Sequence, residues 1–233
     1  MATHDDDRVS SETILKIHES ESSTQTVERL VEFVRAAVGA DAAGVLMHHS
    51  RKDTATSSTD RRVDEAQRLQ VDLDEGPCLE ALKAPDDDVI WVRDLREDER
   101  WPRWRPQALE LGYRSVLSVA LATRSRRFGS LNVYAERPDA FDVDDRAVAV
   151  LLARHASTSL ASAIDRESLE RAVEARSLIG TAVGFIMATY DVSGDAAFSV
   201  LRRYSQDHNV KLRDVAQLVV DTGKLPSDDA ASG

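Results

Sequence analysis

A single cysteine, Cys78, stands in 233 residues, so no intramolecular disulfide can form. A cysteine-based zinc site would have to draw all its other ligands from elsewhere. The six histidines (His4, His18, His48, His49, His155, His208) show no HExxH spacing, and a resident metal is not expected. Also missing are a phosphate-cradling glycine loop and a nucleophile elbow. The Asp86-Asp87-Asp88 run reads as solvated surface, so no enzyme and no cofactor are expected. Apolar runs stay short of the ~18–20 residues that span a bilayer. The N-terminus, MATHDDDRVSSE, lacks the basic and apolar regions of a secretory signal. A soluble, cytoplasmic protein without a membrane partner is the expectation.

Positive charge is scarce overall. The net charge of −11 argues against nucleic-acid binding by the whole surface. Its distribution is uneven, however: residues 166–225 carry eight basic and eight acidic side chains, and the excess of acid lies elsewhere. Within this neutral stretch Arg202, Arg203, Lys211 and Arg213 are opposed between 202 and 213 only by Asp207. Such a cluster is either a solvated helix face or a phosphate-binding surface.

The apolar pattern divides the chain. Val27, Leu30, Val31, Val34 and Val38 fall at helical spacing, with Gly39 placed to end the helix. Ala42–Met47 reads as a short buried strand, 50–62 as a polar strand edge or loop, and Val63–Leu69 as a helix. Asp74-Glu75-Gly76-Pro77 opens another helix, its acids suited to the positive end of the helix dipole. Leu79 and Leu82 are expected to face inward from it. Val89–Val92 is a strand, and Arg100–Pro106 an ordered loop leading into a helix at Gln107–Leu111. Ser115–Leu121 and Gly129–Tyr134 are strands joined by a basic turn. The order implies an α/β unit around a central antiparallel sheet.

From Asp142 the chain reads as one long helix or two nearly coaxial ones, and Leu152, Ala156, Leu160 and Ala163 suggest a seam between subunits. Three short helical segments then form a compact bundle. Ile179, Ala182, Ile186 and Met187 face inward in the first, Ala197, Phe198 and Leu201 in the second, and Leu212, Val215, Ala216 and Val219 in the third. The expected boundaries are a flexible acidic segment 1–20, a sensor-like domain 21–165, a helical domain 166–225 and a disordered tail 226–233. The fold class is α+β.

The stretch Arg176–Leu225 resembles the ANTAR family, the RNA-binding domain of bacterial transcription antiterminators. The resemblance rests on Ile179–Met187 (IGTAVGFIM), Ala197-Phe198, Leu201-Arg202, Ser205, Asn209 and Lys211–Ala216 (KLRDVA), in the family's order and spacing. The family usually carries a lysine where this chain has Val183. Residues from about Thr24 to Ile164 resemble a GAF domain of the kind that precedes ANTAR. The motifs there are Glu75-Gly76-Pro77-Cys78, Asp94-Leu95, Arg100-Trp101-Pro102, Leu111–Ser115, Leu131–Tyr134 and Phe141.

This resemblance implies a regulator that binds paired hairpin loops in nascent RNA and favours an antiterminator structure; a homodimer through the long helical tract is the separate expectation from its apolar stripe. Arg202, Arg203, Lys211 and Arg213 suit phosphates. Ser205 and Asn209 offer neutral donors and acceptors, and Tyr204 a stacking face. Thr181 and Gly184 lie on the first ANTAR-like helix, where glycine allows close approach either of RNA or of another helix. Asn209 fits equally a helix C-cap, and Arg213 a surface ion pair with Asp207 or Asp214. Cys78 and Trp91 are candidates to line a pocket for an unknown small-molecule ligand, with packing as the alternative for both. A ligand-responsive DNA-binding regulator, and an interaction module that binds no nucleic acid, are the competing readings.

Overall fold

The computed structural model describes residues 15–17, 22–50, 53–83 and 89–224. Apart from Leu15–Ile17, the expected N-terminal segment lies outside them, as do the expected tail 226–233 and the Asp86–Asp88 run. The chain divides into two compact units, Met1–Ile164 and Asp165–Gly233.

The first unit holds helix α1 (Ser23–Ala37), strands β1 (Ala42–Ser50) and β2 (Asp53–Ser58), and helices α2 (Arg61–Leu73) and α3 (Pro77–Lys83). Strand β3 (Val89–Val92), helix α4 (Trp104–Glu110) and strands β4 (Ser115–Ala122) and β5 (Arg127–Ala135) follow. The five strands form one antiparallel sheet in the order β2-β1-β5-β4-β3. Strand alternation gives the sheet two lined faces. Val45, Met47, Leu117, Val119, Leu131 and Val133 pack with α1 on one of them. Ala42, Val92, Val116 and Tyr134 pack with α2, α4 and Trp101 on the other.

Local chemistry sets the helix starts. Ser22 Oγ accepts from the Gln25 amide at 3.2 Å, and Asp60 Oδ1 from the Arg62 amide at 2.8 Å. Helix α2 runs further than Val63–Leu69 because its inner face includes Gln67 and Gln70, fully buried polar residues that interrupt the apolar period. Helix α4 begins at Trp104 rather than Gln107. Glu75 Oε2 accepts from the backbone amides of Arg103 at 2.9 Å and Trp104 at 3.3 Å. The acid expected to serve the helix beside it therefore serves the start of a different one.

The long helix α5 runs unbroken from Val143 to Tyr190, opened by Asp142, whose Oδ1 accepts from the amides of Asp144 and Asp145. It passes through the boundary between the units. It contains an 18-residue window long and apolar enough by composition to cross a membrane, which no run in the sequence suggested. Of that window 44% is buried in the chain's own packing. The stripe expected to be an inter-subunit seam is core instead. Leu152, Ala156 and Leu160 belong to the first unit's core, and Ala163 is 2% exposed. A face filled by the chain's own sheet and α1 offers nothing to a second subunit.

In the second unit, the last part of α5 meets helices α6 (Gly194–Asp207) and α7 (Leu212–Thr222). Ser193 Oγ caps α6, accepting from the Ala196 amide at 3.3 Å, and Gly223, at φ +64°, ends α7. The core consists of Ala182, Ile186, Ala197, Leu201, Val215, Ala216 and Val219. Two residues expected in it are not: Met187 is 40% and Phe198 39% exposed. Each follows directly on a core residue, Ile186 or Ala197, and one helical step turns a side chain ~100° off the buried line.

Candidate functional site

The basic cluster of the second unit lies on α6 and at the start of α7. Arg202, Arg203, Lys211 and Arg213 are all exposed. No ion pair involves any of them among the described residues, so the alternative of an Arg213 pair with Asp207 or Asp214 is not realised there. The first unit is different. Its Arg62 pairs with Asp60 and Glu136, Arg100 with Asp98 and Glu80, Arg103 with Glu75, and Arg114 with Asp94. These arginines of the acidic unit serve its fold, whereas the four cations of the cluster face solvent.

The turn between α6 and α7 presents Lys211 and Arg213. Asn209, at φ +52°, supplies the left-handed residue that ends α6 after the C-cap His208. Asn209 therefore stands one residue past the cap, in the turn before α7, and its side chain is exposed. Ser205 is also employed in the turn, because its Oγ donates to the Val210 carbonyl at 2.6 Å. Tyr204 is half-buried and stacked on His208, ring centroids 4.0 Å apart and planes 20° apart, so one face of its ring is occupied. Of the neutral candidates, Asn209 keeps its side chain on the surface, while Ser205 and Tyr204 have intramolecular partners.

Thr181 and Gly184 lie on α5 on the solvent side. Thr181 is exposed, its Oγ1 donating to the Ser177 carbonyl at 3.1 Å. A Cβ added at Gly184 would meet nothing within 4 Å, and the same holds at Gly180. Close packing within this chain therefore does not require glycine at 184, and the position is open to an approaching partner. Val183, where a lysine is usual, is half-buried at the edge of the three-helix core.

Of the two candidate pocket residues in the first unit, Cys78 is fully buried. Burial pushes its thiol up to about 12, against the opposing effect of the Ser130 hydroxyl and nearby amides, so it stays protonated and inert at neutral pH. Trp91 is half-buried with the Arg93 guanidinium 4.6 Å above its ring. Neither lines the cavity of about 470 Å³ bounded by His48, Val71, Asp74, Leu79, Leu82, Lys83 and Arg127. Leu79 and Leu82 are half-buried and form its wall. Cys78 and Ala81, each one position before an expected leucine, take the inward positions instead. No group of three or more metal-ligating side chains occurs among the described residues.

A five-stranded antiparallel sheet lined by helices on both faces, followed by a small helical unit whose basic cluster has no acidic partner among the described residues, defines a two-domain α+β protein. The chain belongs to the GAF domain family, whose model matches residues 20–161, and the ANTAR domain model matches residues 167–220. ANTAR is an RNA-binding antitermination domain and GAF a sensor domain, both regulatory modules. Such domains are typically soluble. No curated protein matches the chain.

Among solved structures, the GAF domain of an Acinetobacter phosphoenolpyruvate-protein phosphotransferase is similar at 18% identity and a TM-score of 0.52. The match covers 72% of this chain and 99% of that one. The GAF domain of the Coxiella burnetii phosphoenolpyruvate-protein phosphotransferase gives 18% and 0.51, covering 67% of this chain and 93% of that one. A domain of a putative two-component sensor histidine kinase from Sinorhizobium meliloti 1021 gives 18% and 0.50, covering 63% and 94%. At this identity the likeness concerns the fold alone.

Sequence reading missed the polar interior of the first unit. Gln67, Gln70, Ser118, Ser130 and Asn132 are all fully buried. The one signal available was the recurrence of Ser118, Ser130 and Asn132 at alternate positions of otherwise apolar strands, which a pattern reading assigns to a solvent face.

Proposed function

We propose that this protein is a sensor-regulated RNA-binding regulator that binds paired hairpin loops in nascent transcripts and promotes transcription antitermination. The observation that carries this reading is the contrast in charge pairing. Arg202, Arg203, Lys211 and Arg213 stand exposed without acidic partners among the described residues, in the ANTAR unit of a protein whose net charge is −11. Four cations on one helix–turn–helix segment suit the phosphates flanking a loop, and the exposed Asn209 side chain suits an unpaired base edge. Gly184 and Thr181 provide a second exposed surface on α5 where backbone can be approached closely.

The GAF unit is read as the sensor, its cavity of about 470 Å³ as the place where a small molecule enters, and the functional form as a homodimer. Support for self-association comes from α5 beyond the first unit, where Leu169 and Val173, four residues apart and so on one helix face, are 65% and 61% exposed. To regulate, the ligand must bind one conformation of the protein more tightly than the other.

A fluorescence-anisotropy titration against a paired-hairpin RNA tests the reading, with loop-scrambled RNA and duplex DNA of equal length at two salt concentrations. Preference for the intact loops is expected. Preference for duplex DNA would replace the reading with a DNA-binding regulator, and no salt-dependent binding to any of them, also with the separate unit 165–233, would leave an interaction module. Sedimentation equilibrium reads the dimer.

A further inference from the structure

The face of the sheet covered by α2 carries a row of polar positions that the fold does not satisfy. In register across three strands, Gly44 of β1 stands beside Asn132 of β5, and Asn132 beside Ser118 of β4. Gln67 of α2 lies over the glycine end: a Cβ built at Gly44 would be 2.3 Å from Gln67 Nε2. Gln67, Ser118 and Asn132 are each fully buried. Both polar atoms of the Gln67 amide, Ser118 Oγ and Asn132 Oδ1 have no hydrogen-bond partner among the described residues.

This row differs from its polar neighbours. Gln70, one turn further along α2's inner face, donates to Tyr134 Oη at 3.3 Å and accepts from the Cys78 amide at 2.9 Å. Within the row, Asn132 Nδ2 donates to the Ser130 carbonyl at 3.3 Å, which leaves Asn132 Oδ1 as its unmet atom. Polar groups buried without partners weaken a fold, and apolar residues of similar size would be better there if stability were the only requirement. A row of them within one patch, beside a glycine that leaves space for the Gln67 amide, points to a ligand.

We propose that Gln67, Ser118 and Asn132 form the binding site of a small uncharged ligand carrying an adjacent hydrogen-bond donor and acceptor, an amide or a ureide. The unmet groups comprise donors (Gln67 Nε2, Ser118 Oγ) and acceptors (Gln67 Oε1, Asn132 Oδ1), the complement of a neutral amide edge. No carboxylate, ammonium or guanidinium belongs to the row, so a charged ligand would lose its hydration there without a counter-ion. The cavity of about 470 Å³ on the same side of the sheet, which none of the three lines, is the approach this proposal assigns. Its Val71 is four residues, one helical turn, from Gln67 on α2, and its His48 lies on β1 in the same alternation as Gly44. Val71, Leu79 and Leu82 give that cavity an apolar wall for the rest of the ligand. The inference builds on the sensor reading of this unit and gives it a ligand class.

The test uses the full-length protein labelled with nitrogen-15 and titrated with benzamide, which joins a neutral amide to an apolar ring. Sodium benzoate is the charged control of nearly the same shape. Saturable shifts of the Gln67 and Asn132 side-chain amide resonances are expected with benzamide, with none from benzoate. Gln67→Leu should abolish the benzamide response. Should that variant fail to fold, Ser118→Ala, which deletes only a hydroxyl, should weaken binding severalfold. Equal shifts from benzoate, a benzamide response undiminished in the variants, or unmoved Gln67 and Asn132 resonances at the solubility limit would overturn the proposal. Because contact is read without RNA, benzamide binding that leaves RNA affinity unchanged would overturn the sensor reading and spare the site.

Discussion

Ser205 and Val210 close the α6–α7 turn from both sides: the Val210 amide donates to the Ser205 carbonyl at 3.0 Å, and Ser205 Oγ donates to the Val210 carbonyl at 2.6 Å. This double link fixes the chain directly before Lys211 and Arg213. Ser205→Ala removes one of the two bonds, at a cost of about 1 kcal/mol. Thermal denaturation should show that loss, and anisotropy a severalfold weaker RNA complex. Ser205→Thr, which keeps the hydroxyl, should restore both. RNA affinity unchanged in Ser205→Ala would mean that the turn does not position the basic cluster.

Arg203 and Lys211 are exposed and have no acidic partner among the described residues. Replacing either with alanine should leave stability within about 0.5 kcal/mol of the parent, as for surface positions generally. Each change should also reduce the slope of log affinity against log salt by about one unit. Wild-type slopes in both variants would place the RNA elsewhere.

Gly184 separates two uses of glycine. Nothing within its own chain crowds a Cβ there, so Gly184→Ala should stabilise the helix by about 0.5–1 kcal/mol. If RNA or a second subunit approaches this backbone closely, the same variant loses RNA affinity or dimerisation while its melting temperature rises. A variant that is more stable and fully active would remove Gly184 from the interface.

The Asp94 carboxylate receives the Arg114 guanidinium through Nε at 2.8 Å and through a second, shorter contact at Nη2, both side chains being mostly buried. The Arg114 hydrogen bond, aided by the Arg96 amide, holds Asp94 below the ordinary carboxylate range. A depressed folded-state value means that the stabilisation is complete above the unfolded value of ~3.9 and is lost as pH falls through the lower folded value. Asp94→Asn should therefore cost about 1–3 kcal/mol at neutral pH, a gap that closes only as the wild type is acidified below pH ~4. Urea midpoints measured across pH 2–7 read this directly. A gap independent of pH would show that packing, rather than charge, is lost.

Much of the architecture was legible because it follows from short-range chemistry. The helical period of Val27, Leu30, Val31 and Val34, and the short, mostly apolar run Ser115–Leu121, set where helices and strands form, whatever they later pack against. The basic residues between 202 and 213 were visible for a similar reason: their neutral surroundings can be counted along the chain. The sequence by itself thus determined the order of elements, the two-domain division and the character of the second unit.

The tertiary structure decided which surfaces are free. Leu152, Ala156 and Leu160 look alike as a dimer seam or a core stripe, and only the sheet and α1 lying against them make them core. Glu75 found its amides 28 and 29 residues away at the start of α4, a pairing that no local pattern encodes. Gln67, Asn132 and Ser118 lie far apart in sequence, and strand register together with α2 makes them one buried row. Local sequence specifies backbone preference over a few residues, whereas burial is a property of what long-range pairing brings opposite each side chain.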